Sequence, residues 1–246
     1  MKRTRVLTGA FVAAAMISPA AVVSAGVASA ATAPPSKPST AQLLTLALAS
    51  ADREGSVHWV SVADVGAAKL VITTDAGQSA GYQTNVASEQ GQEAMVTERL
   101  AGATAYVRGN ALGLEVLLNF TAKAAATEAG KWLSVTKGGP DYSLISAGLT
   151  VSTTMAELEM GGTVKSAPPV TINGQRTLGL RGATKPYGGA PSVDETLYVA
   201  ATGTVLPVRA VQTHQGTVNT VNFTKWGETV PRVIPAGAAP IQASWI

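Results

Sequence analysis

Apolar and polar residues follow two different periods along the chain, and the changes of period divide it into segments. Ser39 and Gln42 have the spacing of a capping box, and leucine and alanine follow at helical spacing up to about Arg53. From residue 56 to 109, short runs rich in valine and threonine are separated by glycine turns. This pattern predicts one helix followed by an antiparallel meander, because parallel strands would need long crossover connections.

The middle of the chain, 110–162, has a residue pattern typical of short helices. Asn110 is placed to cap an apolar helix, and Thr154 with Glu157 has the spacing of a further capping box. Strand patterns return after Gly162, with hairpin turns expected at Asn173-Gly174 and at Gln215-Gly216. The order of helix, sheet, helices and sheet predicts an α+β fold. We expect a curved antiparallel β-sheet, a half-barrel of about ten strands, with short helices packed in the concave face. An apolar gap between sheet and helices would be a ligand pocket.

One predicted strand shows the two-residue alternation clearly. Its two faces carry Tyr82, Thr84 and Val86 on one side and Gln83, Asn85 and Glu89 on the other. We expect one face of the sheet to be covered and the other to be in water.

The first thirty residues have the features of an export signal. A basic start at 2–5 precedes an apolar stretch interrupted by Pro19, and an A-x-A cleavage signal ends at Ala30. The two arginines near the start are not adjacent, which favours the Sec route over the twin-arginine route. The proline, the small residues and the cleavage signal argue against a membrane anchor, and no later stretch is apolar enough to span a bilayer. We expect a signal peptide at 1–30, a proline-rich linker at 31–38 and a single domain at 39–246.

Removal of the signal changes the charge and narrows the range of partners. The chain has 18 basic and 15 acidic residues, and three of the basic ones lie in the signal, so the exported domain is neutral. A neutral domain gives no reason to expect a nucleic-acid partner. The chain has no cysteine, which excludes disulfides, thiolate metal sites and a cysteine lipid anchor. We expect a secreted or extracytoplasmic protein of the cell envelope that is not lipid-anchored.

The segment 77–81 matches the G-x-S-x-G nucleophile elbow of serine hydrolases, with Ser79 as the nucleophile. Asp141 or Asp194, followed by His214, would complete a triad in the right chain order. The elbow requires a turn from a strand into a helix, however, and the segments on both sides have strand patterns. A hairpin turn is the better interpretation. We therefore expect no catalytic residues and no enzymatic activity.

The other candidates for site chemistry are two histidines and two glutamates. His58 and His214 are the only histidines, and neither has an acid beside it at ligand spacing. Glu157 and Glu159 lie two residues apart on a predicted helix and so point to different sides. We expect no metal site and no cofactor.

Three segments in order resemble a known family. They are AYVRG at 105–109, GKWLSV at 130–135 and VNFTKWGE at 221–228, the last followed by Pro231 and Pro235. Together they resemble the actinobacterial LppX/LprG-type envelope lipoproteins, which share the LolA/LolB-like architecture. The resemblance implies a half-barrel closed by helices around a hydrophobic cavity that holds acylated lipids or glycolipids. The founding members carry a lipobox cysteine at the cleavage site, where this chain has alanine and serine.

These observations favour a carrier or chaperone for a hydrophobic or acylated ligand, such as a lipid or glycolipid, with an envelope protein as a further expected partner. The candidate cavity residues are Leu114, Leu117, Leu118, Phe120, Trp132, Leu144 and Met155. If Leu117 lines a cavity, Leu117→Glu should abolish lipid retention. The alternative is a non-enzymatic secreted structural or protein-interaction module with a filled core, in which the same change mainly destabilises the protein.

Overall fold

The computed structural model describes residues 37–139, 141–186 and 191–245. The predicted signal peptide and most of the predicted linker lie outside the described residues. Among the described residues, no helix is both long and apolar enough to cross a membrane. The elements in chain order are α1 (Thr40–Glu54), β1 (Val57–Val65), β2 (Ala68–Ala76), β3 (Ala80–Glu89), β4 (Gln92–Ala101), β5 (Thr104–Gly109), α2 (Ala111–Leu117), α3 (Ala122–Glu128), β6 (Leu133–Thr136), α4 (Tyr142–Ser146), α5 (Val151–Glu157), β7 (Met160–Ala167), β8 (Thr171–Ile172), β9 (Gln175–Thr184), β10 (Asp194–Ala200), β11 (Pro207–His214), β12 (Thr217–Thr224) and β13 (Ala239–Pro240), followed by a 3-10 turn at Ala243–Trp245.

The strands form one open, curved sheet. Its order is β13-β6-β5-β4-β3-β2-β1-β12-β11-β10-β9-β7, with β8 paired to β9 beside this path. Neighbouring strands are antiparallel except β13 and β6, which are parallel. The predicted α+β half-barrel is confirmed, with thirteen strands in the described residues rather than about ten. Two of the additional strands, β6 and β13, are short and lie where the sequence pattern predicted no strand.

Three two-residue turns show how the sequence sets the register of the hairpins. In Gln90-Gly91, Asn173-Gly174 and Gln215-Gly216, both residues have positive φ. This is the backbone of a type I′ turn, whose twist matches that of antiparallel strands. The hairpins predicted at Asn173 and at Gln215 are confirmed.

The helix caps agree with the sequence in two places and differ in a third. Ser39 and Gln42 form the predicted capping box of α1, and the Asn110 side chain accepts from Gly113 N at the start of α2. The box predicted at Thr154 and Glu157 is wrong. Helix α5 begins one turn earlier, with a box between Thr150 and Thr153, because the Thr154 hydroxyl donates instead to the carbonyl groups of Gly148 and Thr150.

Two hydrophobic cores lie on the inner face of the sheet. The first core joins α1 and α5 to β1 and to β9–β12, and its buried residues include Trp59, Met155, Leu158, Leu197, Val221 and Phe223. The second core joins α2, α3 and α4 to β4–β6, and its buried residues include Val96, Leu114, Leu117, Leu118, Phe120, Leu133 and Ile145. The two cores differ in how completely the helices cover the strands.

Candidate functional site

A cavity of about 270 Å³ lies in the first half of the molecule, between α5 and the inner face of four strands, β2, β1, β12 and β11. Strand alternation places its lining: Trp59 and Ser61 point inward from β1, and their partners in β12 are Phe223 and Val221. Leu158, at the end of α5, covers them from the other side. The resulting wall is mainly apolar and aromatic, which is typical of small-molecule sites.

A chain of side-chain hydrogen bonds crosses the inner face beside this apolar wall. The Ser61 hydroxyl donates to Asn219 Oδ1 over 2.6 Å, and Asn219 Nδ2 donates to Gln212 Oε1 over 3.1 Å. Gln212 Nε2 then donates to Glu195 Oε2 over 2.8 Å. We call Ser61, Asn219, Gln212 and Glu195 the first ladder. It spans four neighbouring strands, and all its donors point toward Glu195.

Glu195 is the buried end of the first ladder. Only 1% of the residue is exposed, and its Oε1 atom has no hydrogen-bond partner among the described residues. Burial raises the pKa of Glu195 to about 8, with a further contribution from the charge of Glu157 and an opposing one from the Gln212 hydrogen bond. At neutral pH this carboxyl group is therefore mostly protonated, and a cation or a further hydrogen-bond donor nearby would favour its ionised form.

Glu157 faces the cavity from the last turn of α5. Burial raises its pKa to about 7. Glu159 does point elsewhere, as its spacing predicted, and accepts from Lys185 Nζ over 2.6 Å. The sequence argument against a paired acid site is nevertheless incomplete. The acid that interacts with Glu157 is Glu195, which comes from strand β10 and has no sequence proximity to α5.

A second ladder of the same design lies on the other half of the inner face. The Thr74 hydroxyl donates to Gln83 Oε1 over 2.8 Å, and Gln83 Nε2 donates to Glu98 Oε2 over 2.7 Å. Asn85 Nδ2 also donates to Glu98 Oε2, over 3.1 Å. We call Thr74, Gln83, Asn85 and Glu98 the second ladder. Burial raises the pKa of Glu98 to about 8, although both amide hydrogen bonds work against this rise.

The second ladder shows which face of β3 is covered. Gln83 is 6% exposed, whereas its neighbour Tyr82 is 37% exposed on the outer face. The alternation predicted for this strand is present. The covered face is the one with the amides, because cross-strand hydrogen bonds to Glu98 satisfy them there.

The structure brings four of the predicted cavity residues together, in the second core. Leu114, Leu117, Leu118 and Phe120 are each at most 8% exposed, and none of them lines the 270 Å³ cavity. The close approach of α2 to β4 accounts for the tight packing there. A Cβ atom at Gly113 would collide with the backbone of Met95.

The other three predicted residues are dispersed. Trp132 lies against Arg99 and Arg108, with each guanidinium carbon 5.0 Å from the indole centroid. Leu144 is partly buried against the second core, and Met155 is buried in the first core on the helix that bears Thr154 and Glu157. The ligand-binding role of all seven residues stays a prediction. The sequence did not predict the residues that line the cavity, because these come from strands that are far apart in the chain, as Ser61 and Asn219 are.

The G-x-S-x-G segment lies in the turn between β2 and β3, so Ser79 has strands on both sides. This is the hairpin that the sequence predicted. His214 lies at the end of β11, where it lines the cavity and Ser79 does not. The strand-to-helix turn that a nucleophile elbow requires is therefore absent at Ser79.

His58 does have an acid beside it, contrary to the sequence argument. Its Nδ1 atom lies 2.7 Å from Asp75 Oδ1, because the two residues are directly opposite each other on β1 and β2. Within the described ranges, no cluster of three or more histidine, aspartate or glutamate residues has a geometry that could hold a metal ion.

Comparison with known proteins gives a likeness of fold. No protein-family model matches the chain, and no curated protein matches it in sequence. The crystal structure of LprF from Mycobacterium bovis matches with a TM-score of 0.55 and 16% identity, covering 80% of this chain and 97% of that one. The Mycobacterium tuberculosis lipoprotein LppX matches with a TM-score of 0.44 and 16% identity, covering 79% of this chain and 100% of that one. The resemblance to the LppX/LprG family seen in the sequence is confirmed as a similarity of fold, which LprF carries.

Proposed function

We propose that this protein is an exported, non-enzymatic carrier that binds a hydrophobic or acylated small molecule in the cavity between α5 and the sheet. The observation that carries the proposal is the cavity itself, with a wall that includes Trp59, Leu158, Val221 and Phe223. Sheet strands and a helix end enclose it together, and an unfilled apolar space of this kind is a natural ligand site. The fold shared with LprF agrees with this proposal.

The size of the cavity limits its occupant. At about 270 Å³ it is slightly below the lower end of the usual range for small-molecule pockets, roughly 300 to 1,000 Å³. A single alkyl chain with a small head group fits this volume better than a lipid with several long chains. The predicted residues of α2 and of the segment that follows it, Leu118 and Phe120, then have a supporting role, since they pack against the second half of the sheet.

The site of action follows from the signal-like segment at 1–30, which supports export by the Sec route. A carrier outside the cytoplasmic membrane needs a donor and an acceptor for its ligand, and an envelope protein fits either role.

A structural or protein-interaction module remains the second candidate, and the packing of the second core favours it. Ala105, Val107, Leu114 and Leu133 are completely buried there. If the cavity of the first half stays empty in the envelope, the protein acts through its surface, and the filled core only stabilises the fold.

Substitution on β2 tests the cavity directly. Ile72 lines the cavity, and its neighbour Val71 lies on the opposite face of the same strand. We expect Ile72→Trp to weaken the binding of n-octanol at least tenfold, measured by isothermal titration, because the indole occupies the cavity. Val71→Trp is the matched control and should bind n-octanol as the wild type does. A folded Ile72→Trp variant with unchanged affinity would place the ligand elsewhere.

The proposal that no catalysis occurs has its own test. Ser79 lies in an exposed turn, and a serine-reactive phosphonate probe should leave it unlabelled. Labelling that Ser79→Ala removes would favour a hydrolase.

A further inference from the structure

The cavity combines aromatic walls with buried acids, and this combination goes beyond what an apolar ligand needs. Trp59 and Phe223 belong to its wall, and Glu157 faces it from α5. Glu195 lies behind Gln212, another lining residue, to which it is hydrogen-bonded. A purely apolar occupant would leave the Glu157 carboxyl group and the Oε1 atom of Glu195 without a partner, which is costly for buried polar groups.

The cations near the cavity do not neutralise these acids. Lys185 lines the cavity, but its ammonium group pairs with Glu159 at 2.6 Å. His214 is exposed at the end of β11. Among the described residues, no arginine lines the cavity. Glu157 therefore faces a space in which a ligand is free to supply the positive charge.

The direction of the hydrogen bonds in the first ladder also favours a hydrogen-bond donor as the missing partner of Glu195. Each of its three hydrogen bonds donates toward Glu195, and the last of them satisfies Oε2. The Oε1 atom of Glu195 is left as an acceptor without a partner among the described residues. A second unpartnered polar atom belongs to the wall, where the Nε1 donor of Trp59 is buried and Trp59 is 7% exposed. The cavity therefore offers unused hydrogen-bonding groups to a polar head, and the acceptors among them carry negative charge when ionised.

We propose that the cavity selects a cationic amphiphile, a primary alkylammonium whose charged head lies at the carboxyl group of Glu157, with Glu195 behind Gln212 as a second acid, and whose chain lies along Trp59, Phe223 and Leu158. This inference rests on the proposed function and specifies its ligand. An ammonium group offers three donors and a positive charge, and aromatic faces attract cations further. When the two acids are ionised they repel a carboxylate ligand, while a neutral alcohol forms hydrogen bonds but supplies no charge.

Three ligands of equal chain length separate charge from apolar burial. The probes are n-octylammonium, n-octanol and octanoate, titrated calorimetrically into the folded domain at pH 9. At this pH Glu157 and Glu195, with pKa values of about 7 and about 8, are ionised, and a primary ammonium group keeps its charge as lysine does. We expect n-octylammonium to bind at least tenfold more tightly than n-octanol, and octanoate to bind more weakly than n-octanol. Equal affinities for the amine and the alcohol, or tighter binding of octanoate, would overturn the inference and leave the carrier function standing. No binding of any of the three would overturn both.

Two isosteric substitutions identify the acid responsible. Glu157→Gln should reduce the affinity for n-octylammonium to that for n-octanol, while n-octanol binding stays within twofold of the wild type, because Glu157 is the acid that lines the cavity. Glu98→Gln is the matched control, because Glu98 is a buried acid of the same kind at the end of the second ladder and does not line the cavity. It should leave both affinities unchanged. Loss of the amine preference in both variants, or in neither, would contradict the assignment. Thermal unfolding of each variant verifies that it is folded, and Glu195→Gln, which removes the second acid, gives a second measurement should Glu157→Gln fail to fold.

Discussion

Both halves of the inner face carry a ladder of side-chain hydrogen bonds, but the helices cover the two ladders differently. In each, amide side chains cross neighbouring strands and end at a glutamate that is at most 2% exposed. Over the second half, α2 packs so closely on β4 that Gly113 touches the Met95 backbone. Over the first half, α5 leaves a cavity of about 270 Å³. The position of the helix above the sheet, rather than the sheet itself, determines where a ligand can bind.

The largest effect that separates the halves is expected from a charge placed in the second core. Leu117 is 8% exposed in this core. Leu117→Glu should reduce the free energy of unfolding by several kcal/mol or prevent folding, because it buries a charge that no group offsets. Val116→Glu, at a neighbouring position that is 38% exposed, should be nearly neutral. Chemical unfolding measures both. A stable Leu117→Glu variant that has lost its ligand would return this residue to the binding site.

Two leucine truncations sharpen the comparison of packing. Leu114 is completely buried in the second core, and Leu158 is 2% exposed at the wall of the cavity. Leu114→Ala should cost about 2 to 5 kcal/mol of unfolding free energy and leave n-octanol binding unchanged. Leu158→Ala removes part of the cavity wall instead, so it should enlarge the cavity and admit longer alcohols. Unchanged ligand preferences in both variants would show that the halves are packed alike.

The buried acids predict how stability depends on pH. Burial raises the pKa of Glu98 from 4.5 to about 8, so above pH 4.5 the unfolded chain loses a proton that the folded protein keeps. The contribution of this group is therefore complete below pH 4.5 and is lost as the pH rises to about 8, by roughly 1.4 kcal/mol per pH unit.

Glu98→Gln tests this dependence, since an amide does not titrate. Between pH 5 and 8, the unfolding free energy of the variant should fall less steeply than that of the wild type, as measured by urea unfolding. The exposed Glu89→Gln is the control and should keep the wild-type slope. An unchanged slope in Glu98→Gln would mean that Glu98 is ionised in the folded protein.

The smallest effect is expected on the outer face. Trp132 packs there between Arg99 and Arg108. Trp132→Ala should cost about 1 kcal/mol of unfolding free energy through the lost cation–π contacts. It should leave n-octanol binding unchanged, whereas a tenfold loss would connect the outer face to the cavity.

Much of the fold could be predicted from local patterns. The cap at Ser39, the cap at Asn110 and the turn at Asn173-Gly174 each depend on residues within three positions of one another, and all are present. The exception is the start of α5, where four threonine and serine residues could each cap the helix. The Thr154 hydroxyl donates to backbone carbonyl groups and so does not form the predicted cap.

The cavity could not be predicted in the same way. An apolar helix face such as Leu114 to Leu118 has the same pattern whether it lines a cavity or fills a core, and only the distance between helix and sheet separates the two. The first ladder joins Ser61 to Asn219 across 158 positions of sequence. The approach of Glu157 to Glu195 likewise depends on how α5 lies over β10, and no local spacing encodes it.

The most direct test of a ligand cavity is native mass spectrometry of the domain at residues 31–246, purified from a host that exports it, before and after solvent extraction. The wild type should show a reproducible mass increment that extraction removes. The Ile72→Trp variant should show the bare mass, and Val71→Trp should keep the increment. A bare wild-type mass that persists after incubation with envelope lipids would contradict the carrier function, as would an increment that Ile72→Trp retains.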